Sequence, residues 1–362
     1  MHERHMTLPE FLAGQLRETV DETDRSGLQA LLQDIAGAVR AVTSIVARGA
    51  LGHHGGVDGG ADGQGEERKH LELAANAIFV AMCERNACVA GLVSEATNIA
   101  RETGPGGARG EYLVVLDPLD RSSNTGLNVA VGSIFSVLRR RAGQPVSDGA
   151  FLCNGREQLA AGYAIYGPST MLVLTVGLGT HGFTLDRDAG AFLLTHPFIR
   201  IPSPATELSI NAANERFWEP PVLRYVRECR AGSAGERQQD FSARWVASMV
   251  VDVHRLLMRG GVYLQPRDRH RAIHSGGLRL LHEANPMAFI VEQAGGLAST
   301  GRGRILDAVP DALHDHVPAI LGSKAEVERL ERYHREYDSG VDKPFVSPLF
   351  NERSLFRPEA RI

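Results

Sequence analysis

Cysteine and long apolar runs are both scarce in this chain, and their scarcity excludes several classes of protein. The four cysteines, Cys83, Cys88, Cys153 and Cys229, form no C-x-x-C pair, so the sequence offers neither a disulfide framework nor a cysteine-based metal site. No run approaches the 18 apolar residues of a transmembrane helix, and the charged stretch Met1–Met6 lacks the apolar core of a secretory signal. We therefore expect a cytoplasmic protein in a reducing compartment, without a membrane partner.

An excess of basic charge is also missing. The formal net charge is -4 at pH 7, so the chain has no global positive field of the kind that holds a phosphodiester backbone. We therefore expect no nucleic-acid partner. The chain has 362 residues, of which 43% are hydrophobic and 23% charged, and these values are typical of a soluble globular enzyme with one or two domains.

The most informative stretch present is residues 111–124. Five apolar residues, Tyr112 to Leu116, predict a buried strand that stops at Asp117-Pro118. Since proline biases the residue before it toward extended geometry, Asp117 and Asp120 can turn toward one point at the strand end. That point suits a hard divalent cation such as Mg²⁺. Ser122, Ser123 and Asn124 then offer hydroxyl, amide and backbone N–H groups for a phosphate. Ordinary turn chemistry is the alternative, with the carboxylates capping local N–H groups.

The rest of the chain shows regular periodicity. Apolar spacing predicts helices at about 9–20, 28–48, 65–82, 241–255 and 285–294, with Asn285 as an N-cap. Runs of β-branched and aromatic residues predict strands at 89–95, 112–116, 131–140, 158–166, 170–176, 182–185, 191–195 and 317–321. Helices followed by a strand-rich middle and then by βα alternation indicate a mixed α/β fold.

Several blocks resemble one family. Asp117-Pro-Leu-Asp-Arg-Ser-Ser-Asn124 resembles the D-P-L-D-G-S-S-N motif of class 1 fructose-1,6-bisphosphatases, which belong to the metal-dependent, lithium-sensitive sugar and inositol phosphatases. Further similar blocks follow in the family's order at 160–173, 208–211, 241–255 and 278–287, and the resemblance runs from about Thr7 to Lys324. It implies an α/β (α+β) fold with layers α/β/α/β/α around two sheets. We expect an amino-terminal metal-binding half at 1–200, a sugar-phosphate-binding half at 201–338 and an extended tail at 339–362.

The resemblance also implies a set of site residues. The expected metal ligands are Glu95, Asp117, the Leu119 carbonyl, Asp120 and Glu283, holding two or three Mg²⁺ ions, with Mn²⁺ as an alternative. The expected catalytic residues are Glu72, Glu95, Asp117 and Asp120. The expected substrate contacts are Asp120, Arg121, Ser122, Ser123, Asn124, Asn211, Arg244, Trp245, Tyr263, Leu264 and Gln265. Because the family's counterpart of Arg244 reaches a neighbouring subunit's substrate, we expect a homotetramer or dimer.

From the residues alone, two of the expected ligands have simpler interpretations. A single glutamate at a strand end, like Glu95, is usually just solvated. Glu283 near the start of a helix can complement the helix dipole.

The chain departs from the family pattern at several positions. Glu72 and Trp245 replace an aspartate and a tyrosine. Ala96 replaces an acid near the attacking water, and Arg121 replaces a glycine beside the phosphate. Near the distal phosphate, Gln265 replaces another tyrosine and Gly277 replaces a lysine.

Two functions are consistent with this pattern. The first is Mg²⁺-dependent hydrolysis of the 1-phosphate of fructose 1,6-bisphosphate, with sedoheptulose 1,7-bisphosphate as a second substrate, in gluconeogenesis or the Calvin cycle. The alternative is a weakly active or inactive paralogue that binds metal and sugar phosphate as a regulatory or partner subunit.

Overall fold

Three helices form the amino-terminal layer of the protein. The structure, a computed structural model, describes residues 5–19, 22–52, 63–104, 110–203, 205–267 and 277–341. The helices are α1 (Leu8–Thr19), α2 (Glu22–Val46) and α3 (Gly63–Arg85). The apolar face predicted for α2 is largely buried, and the helix predicted at 28–48 is present but begins earlier, at Glu22, and ends at Val46. Within the described ranges, no helix combines the length and apolarity needed to cross a membrane.

An eight-stranded sheet covers the inner face of these helices. Its strands are β1 (Val89–Ser94), β2 (Arg101–Glu102), β3 (Tyr112–Asp120), β4 (Val131–Arg139), β5 (Gln158–Tyr166), β6 (Thr170–Thr175), β7 (Thr180–Asp186) and β8 (Ala191–Ile199). The spatial order is β2-β1-β3-β4-β5-β6-β7-β8. Among the described strands of this sheet, only β1 and β3 pair in parallel. Ser94 pairs with Leu116, so the next residues along the two strands, Glu95 and Asp117, are neighbours at the same edge.

A second, five-stranded sheet and four helices complete the fold. The remaining elements are β9 (Glu207–Ser209), α4 (Pro220–Ala231), β10 (Ser242–Ala243), α5 (Met249–Arg259), β11 (Val262–Gln265), β12 (Leu278–Arg279), α6 (Asn285–Gln293), β13 (Leu297–Ser299), β14 (His316–Val317), β15 (Ala319–Gly322) and α7 (Lys324–Asp338). The order of the second sheet is β10-β9-β11-β15-β13, and β12 pairs with β14 separately. Helices α5 and α6 pack between the two sheets, while α4 and α7 cover the outer face of the second sheet. The predicted layered α/β/α/β/α architecture is therefore confirmed.

Two local predictions near the centre were wrong. Strand β3 does not stop at Asp117-Pro118 but continues to Asp120, with a register shift between Asp117 and Asp120. A proline is tolerated there because a bulge does not require its missing N–H group. The helix predicted at 241–255 begins only at Met249, and the preceding residues are extended or irregular, with Ala247 in the left-handed region at φ 64°.

The carboxyl-terminal half contains two further differences. Asn285 is not an N-cap, because a single π-helical turn, Leu280–Ala284, leads into α6 and Asn285 already has helical dihedrals. Helix α7 was missed, although Val327, Leu330 and His334 recur at helical spacing and are buried. The predicted extended tail from 339 lies outside the described residues from position 342 onward.

Candidate active site

Three carboxylates meet where the two halves of the fold join. Asp117 and Asp120 end strand β3, and Glu283 lies on the π-helical turn before α6. One oxygen from each carboxylate lies within 4.8 Å of the others. Asp117 and Asp120 are buried and Glu283 is half-buried. Such turns occur frequently at functional sites, and here the turn brings Glu283 to the strand end.

Each of these carboxylates has one oxygen bound by a protein donor. The Leu119 N–H donates to Asp117 Oδ1 at 3.2 Å, and the Arg279 N–H donates to Glu283 Oε2 at 2.7 Å. Asp120 Oδ2 accepts two hydrogen bonds, from the Ser248 hydroxyl at 2.6 Å and the Val250 N–H at 3.1 Å. The orientation of all three groups is therefore set by the protein itself.

Burial and mutual repulsion disfavour the charged forms of these carboxylates. Burial raises the pKa of Asp117 well above its usual value, and the neighbouring Asp120 and Glu283 carboxylates raise it further. Burial also raises the pKa of Glu283 to about 7, with Asp120 as the next cause. For Asp120, burial raises the pKa while the bonds from Ser248 and Val250 oppose that shift. The three groups are acidic, offer only oxygen ligands and are buried or half-buried, so they fit a hard divalent cation.

Glu95 lies beside this cluster but is held by a different contact. It follows β1, and its N–H donates to the Leu116 carbonyl at 2.8 Å. Its Oε1 pairs with Arg279 Nη1 at 2.5 Å. The same Arg279 therefore contacts Glu95 through its guanidinium and Glu283 through its backbone. A cation bound by Glu95 would compete with this ion pair.

The predicted phosphate-binding residues form a short 3₁₀ turn, Ser122–Leu127, directly after β3. Arg121 precedes it in the left-handed region at φ 54° and ψ 49°, and its side chain is exposed. The Ser122 hydroxyl donates to Glu72 of α3, and the Asn124 amide donates to the Val246 carbonyl at 3.3 Å. Ser123, in contrast, is exposed. Helix α3 thus supports the turn from one side and the 244–248 segment from the other.

Comparison with known proteins decides the family. The profile described as fructose-1,6-bisphosphatase, N-terminal domain, matches residues 6–197, and the profile for the C-terminal domain matches residues 201–335. The chain belongs to the class 1 fructose-1,6-bisphosphatase family. It is 52% identical over 358 residues to a class 1 fructose-1,6-bisphosphatase of Methylacidiphilum infernorum, covering 99% of both chains. It is 48% identical over 353 residues to one of Methylibium petroleiphilum, covering 97% of both.

A solved structure supports the same assignment. The holo form of Leishmania major fructose-1,6-bisphosphatase matches 92% of this chain and 100% of its own, with a TM-score of 0.81 and 34% identity. The sequence resemblance and the fold are thus both those of the class 1 family.

The other residues predicted to contact the substrate are distributed around β11. Asn211 accepts a hydrogen bond from the Ala213 N–H at 3.2 Å and caps the following 3₁₀ helix. Arg244 is exposed just after β10. Trp245 stacks on the buried Tyr263, with ring centroids 6.1 Å apart and an interplanar angle of 10°. Tyr263 also lies in the field of the cluster, since burial and then the Glu283 and Asp120 carboxylates raise its pKa.

Two family substitutions at this end are coupled in space. A Cβ atom added at Gly277 would overlap the amide nitrogen of Gln265 and lie 2.9 Å from its Cγ. The Gln265 amide therefore occupies the space into which a side chain at position 277 would begin. Leu264, between Tyr263 and Gln265, is fully buried and packs in the hydrophobic core.

Sequence reasoning missed Ser248 and Arg279. Both contact candidate metal ligands, and both were part of quoted family blocks without an assigned role. Ser248 had a detectable local signal, since serine is a favoured N-cap and it caps α5 through Val251. At position 96 the structure places an exposed alanine, whose N–H contacts the Ser94 hydroxyl at 3.3 Å.

Proposed function

We propose that this protein hydrolyses the 1-phosphate of fructose 1,6-bisphosphate to give fructose 6-phosphate and phosphate, in a Mg²⁺-dependent reaction. Mn²⁺ is an alternative ion, and sedoheptulose 1,7-bisphosphate is a second substrate of the same chemistry. The observation that carries the proposal is the cluster of three oriented carboxylates, two buried and one half-buried, within 4.8 Å of one another. Relatives named class 1 fructose-1,6-bisphosphatase match along nearly the whole chain.

In this proposal, Asp117, Asp120 and Glu283 hold the divalent ions, with Glu95 and the Leu119 carbonyl as further ligands. When bound, the ions would neutralise phosphate charge and lower the pKa of a coordinated water. The 122–124 turn binds and orients the phosphate, because its N–H, hydroxyl and amide groups follow the strand end directly. Glu72 acts through Ser122, because its carboxylate accepts a hydrogen bond from the Ser122 hydroxyl. In-line phosphoryl transfer depends mainly on such positioning and charge neutralisation.

We also propose an oligomeric state, a cellular location and a metabolic role for the protein. A homotetramer or dimer is supported by the exposed Arg244, which has the position of the family residue that reaches a neighbouring site. A sugar bisphosphate is the expected partner. We place the protein in the cytoplasm, in gluconeogenesis or the Calvin cycle.

A second candidate is a weakly active or inactive paralogue that binds metal and sugar phosphate as a regulatory or partner subunit. It is favoured by Ala96, which presents no acid beside Glu95. In this version the carboxylate cluster still binds metal, while the attacking water has lost one orienting group.

Phosphate release from the purified protein with fructose 1,6-bisphosphate and Mg²⁺ separates the two candidates. We expect turnover that Asp117→Asn abolishes, together with at least about tenfold weaker Mg²⁺ binding, because the change removes a ligand and a charge. Asp188→Asn, at an exposed position, is the matched control and should behave as the parent. Metal binding without turnover in the parent would favour the inactive paralogue, and absence of binding of both Mg²⁺ and Mn²⁺ would rule out both candidates.

A further inference from the structure

The side chain of Ser248 connects a loop of the second half to a carboxylate of the first. Ser248 is fully buried, and its hydroxyl donates to Asp120 Oδ2 at 2.6 Å across 128 residues of sequence. The Val250 N–H donates to the same oxygen at 3.1 Å. Asp120 Oδ2 is thus occupied by two donors from the start of α5. No described residue donates a hydrogen bond to its other oxygen, Oδ1.

We infer that Ser248 is a positioning residue that makes Asp120 a one-oxygen metal ligand with a fixed orientation. This inference rests on the metal site of the proposed function. Hydrogen bonds to a ligating carboxylate typically change metal affinity by about 10–100-fold when they are removed. A hydroxyl donor to an ionised acceptor also belongs to the stronger class of hydrogen bonds.

The capping role of Ser248 does not account for this contact. As the N-cap of α5, Ser248 uses an oxygen lone pair to accept the Val251 N–H at 3.3 Å. The single hydroxyl hydrogen is not needed for that cap, and it is directed to Asp120. The cap uses the hydroxyl oxygen as an acceptor and the contact with Asp120 uses the hydroxyl hydrogen as a donor. A substitution can therefore weaken one role more than the other.

The segment that carries Ser248 is held from several directions. The Val246 carbonyl accepts from Asn124 at 3.3 Å, and the Val246 N–H donates to Asp252 Oδ2 at 3.3 Å. Arg255 donates to the Arg244 carbonyl at 3.1 Å. Because these hydrogen bonds hold the segment in place, the position of Ser248 relative to Asp120 is restricted. The segment 244–248 therefore links the phosphate-binding turn, through Asn124, to the metal carboxylate, through Ser248.

Isothermal titration of the full-length protein with Mg²⁺ tests the inference directly, without relying on turnover. Ser248→Ala should weaken Mg²⁺ binding by about 10–100-fold, and in assays it should raise the Mg²⁺ concentration for half-maximal rate more than it lowers kcat at saturating Mg²⁺. Ser248→Thr retains the hydroxyl and should bind Mg²⁺ within about threefold of the parent. Ser248→Cys retains a side chain of similar size but only a weak donor, and should bind distinctly more weakly.

Thr180→Val is the matched control. Thr180 is also fully buried, and its hydroxyl donates to the Ile290 carbonyl at 2.7 Å. Its removal should lower thermal stability and leave Mg²⁺ affinity unchanged. If folded Ser248→Ala binds Mg²⁺ as the parent does, the inference is wrong. Should Ser248→Ala fail to fold, parental affinity in Ser248→Cys would overturn it equally.

The outcomes for the parent keep this inference separate from the proposed activity. Mg²⁺ binding without phosphate release would refute the proposed hydrolysis while the comparison of Ser248 variants still decides the positioning role. A parent that binds neither Mg²⁺ nor Mn²⁺ would overturn both. Phosphate release with identical Mg²⁺ affinity in parent and Ser248→Ala would overturn the positioning role alone.

Discussion

At the scale of residues, the substitutions relative to the family act through their neighbours. Arg121 lies in the left-handed region, a conformation that glycine adopts without strain and that costs roughly 1–2 kcal/mol for a residue with a Cβ. Its side chain is exposed. At the other end of the site, the Gln265 amide fills the space that a side chain at position 277 would need.

The sharing of space at Gly277 predicts non-additive mutations. Gly277→Lys alone should destabilise the protein by roughly 0.5–1.5 kcal/mol, because its Cβ overlaps the Gln265 amide and forces that flexible side chain out of its rotamer. Combined with Gln265→Ala, the lysine has room, and most of that stability should return. Urea unfolding of both single variants and the double variant measures the coupling, which should exceed about 0.5 kcal/mol.

The same variants test whether a side chain at position 277 can bind the distal phosphate of the substrate. A lysine that can extend adds a charge-assisted hydrogen bond of about 1.5–3 kcal/mol, so only the double variant should lower KM for the bisphosphate, by about tenfold or more. Gln265→Ala alone is the control for the lost amide. A lower KM in Gly277→Lys alone would show that Gln265 moves aside readily.

At the scale of elements, α5 determines much of the site. It begins at Met249 because Ser248 caps it, so residues 244–248 are left as an extended segment in place of the predicted helical turns. In the interior layer, His254 of α5 shares a hydrogen bond of 2.8 Å with the Tyr163 hydroxyl of β5. Burial, with a smaller effect from His196, lowers the pKa of His254 to about 4. Helix α5 is thus packed around a histidine that stays neutral at physiological pH.

This neutral histidine predicts a pH dependence of stability. The unfolded chain takes up a proton near the usual pKa of about 6.5, whereas the folded chain takes it up near pH 4. Stability is therefore lost as pH falls from about 6.5 to 4, by an amount on the order of 2–3 kcal/mol, and levels off below. His254→Asn, which places a polar group near the Tyr163 hydroxyl, should lose correspondingly less stability over this range. Unfolding free energies from urea titrations at several pH values measure the difference, and parallel curves for the two proteins would contradict the prediction.

At the scale of the whole molecule, the two sheets enclose a shared layer of helices, α5 and α6. The carboxylate cluster lies at this junction, because β3 of the first sheet supplies two carboxylates and the turn before α6 supplies the third. Arg244 follows the edge strand of the second sheet and is exposed. Among the described residues, its guanidinium makes no contact with the carboxylate cluster of the same chain.

The exposed Arg244 predicts a functional assembly. We expect a homotetramer or dimer in which Arg244 of one subunit contacts the substrate phosphate of another. Arg244→Ala should then raise KM for the bisphosphate by about tenfold or more, while Mg²⁺ affinity stays unchanged. Arg227→Ala, another exposed arginine, is the control. Light scattering that finds a fully active monomer at micromolar concentration would remove Arg244 from the site.

Local sequence was sufficient to predict most element positions and the carboxylates at the end of β3, because these features depend on periodicity and on a contiguous motif. The layered architecture was predicted from the resemblance to the class 1 family. The details that orient the site were decided by tertiary structure. The bond between Ser248 and Asp120, the dual contact of Arg279 and the shared space of Gln265 and Gly277 join residues whose meeting depends on how two sheets pack. Pairs distant in sequence leave no periodic signal, and the entropy of bringing them together is offset only by the complete fold. The carboxylates are therefore encoded locally, and their orientation is a property of the folded protein.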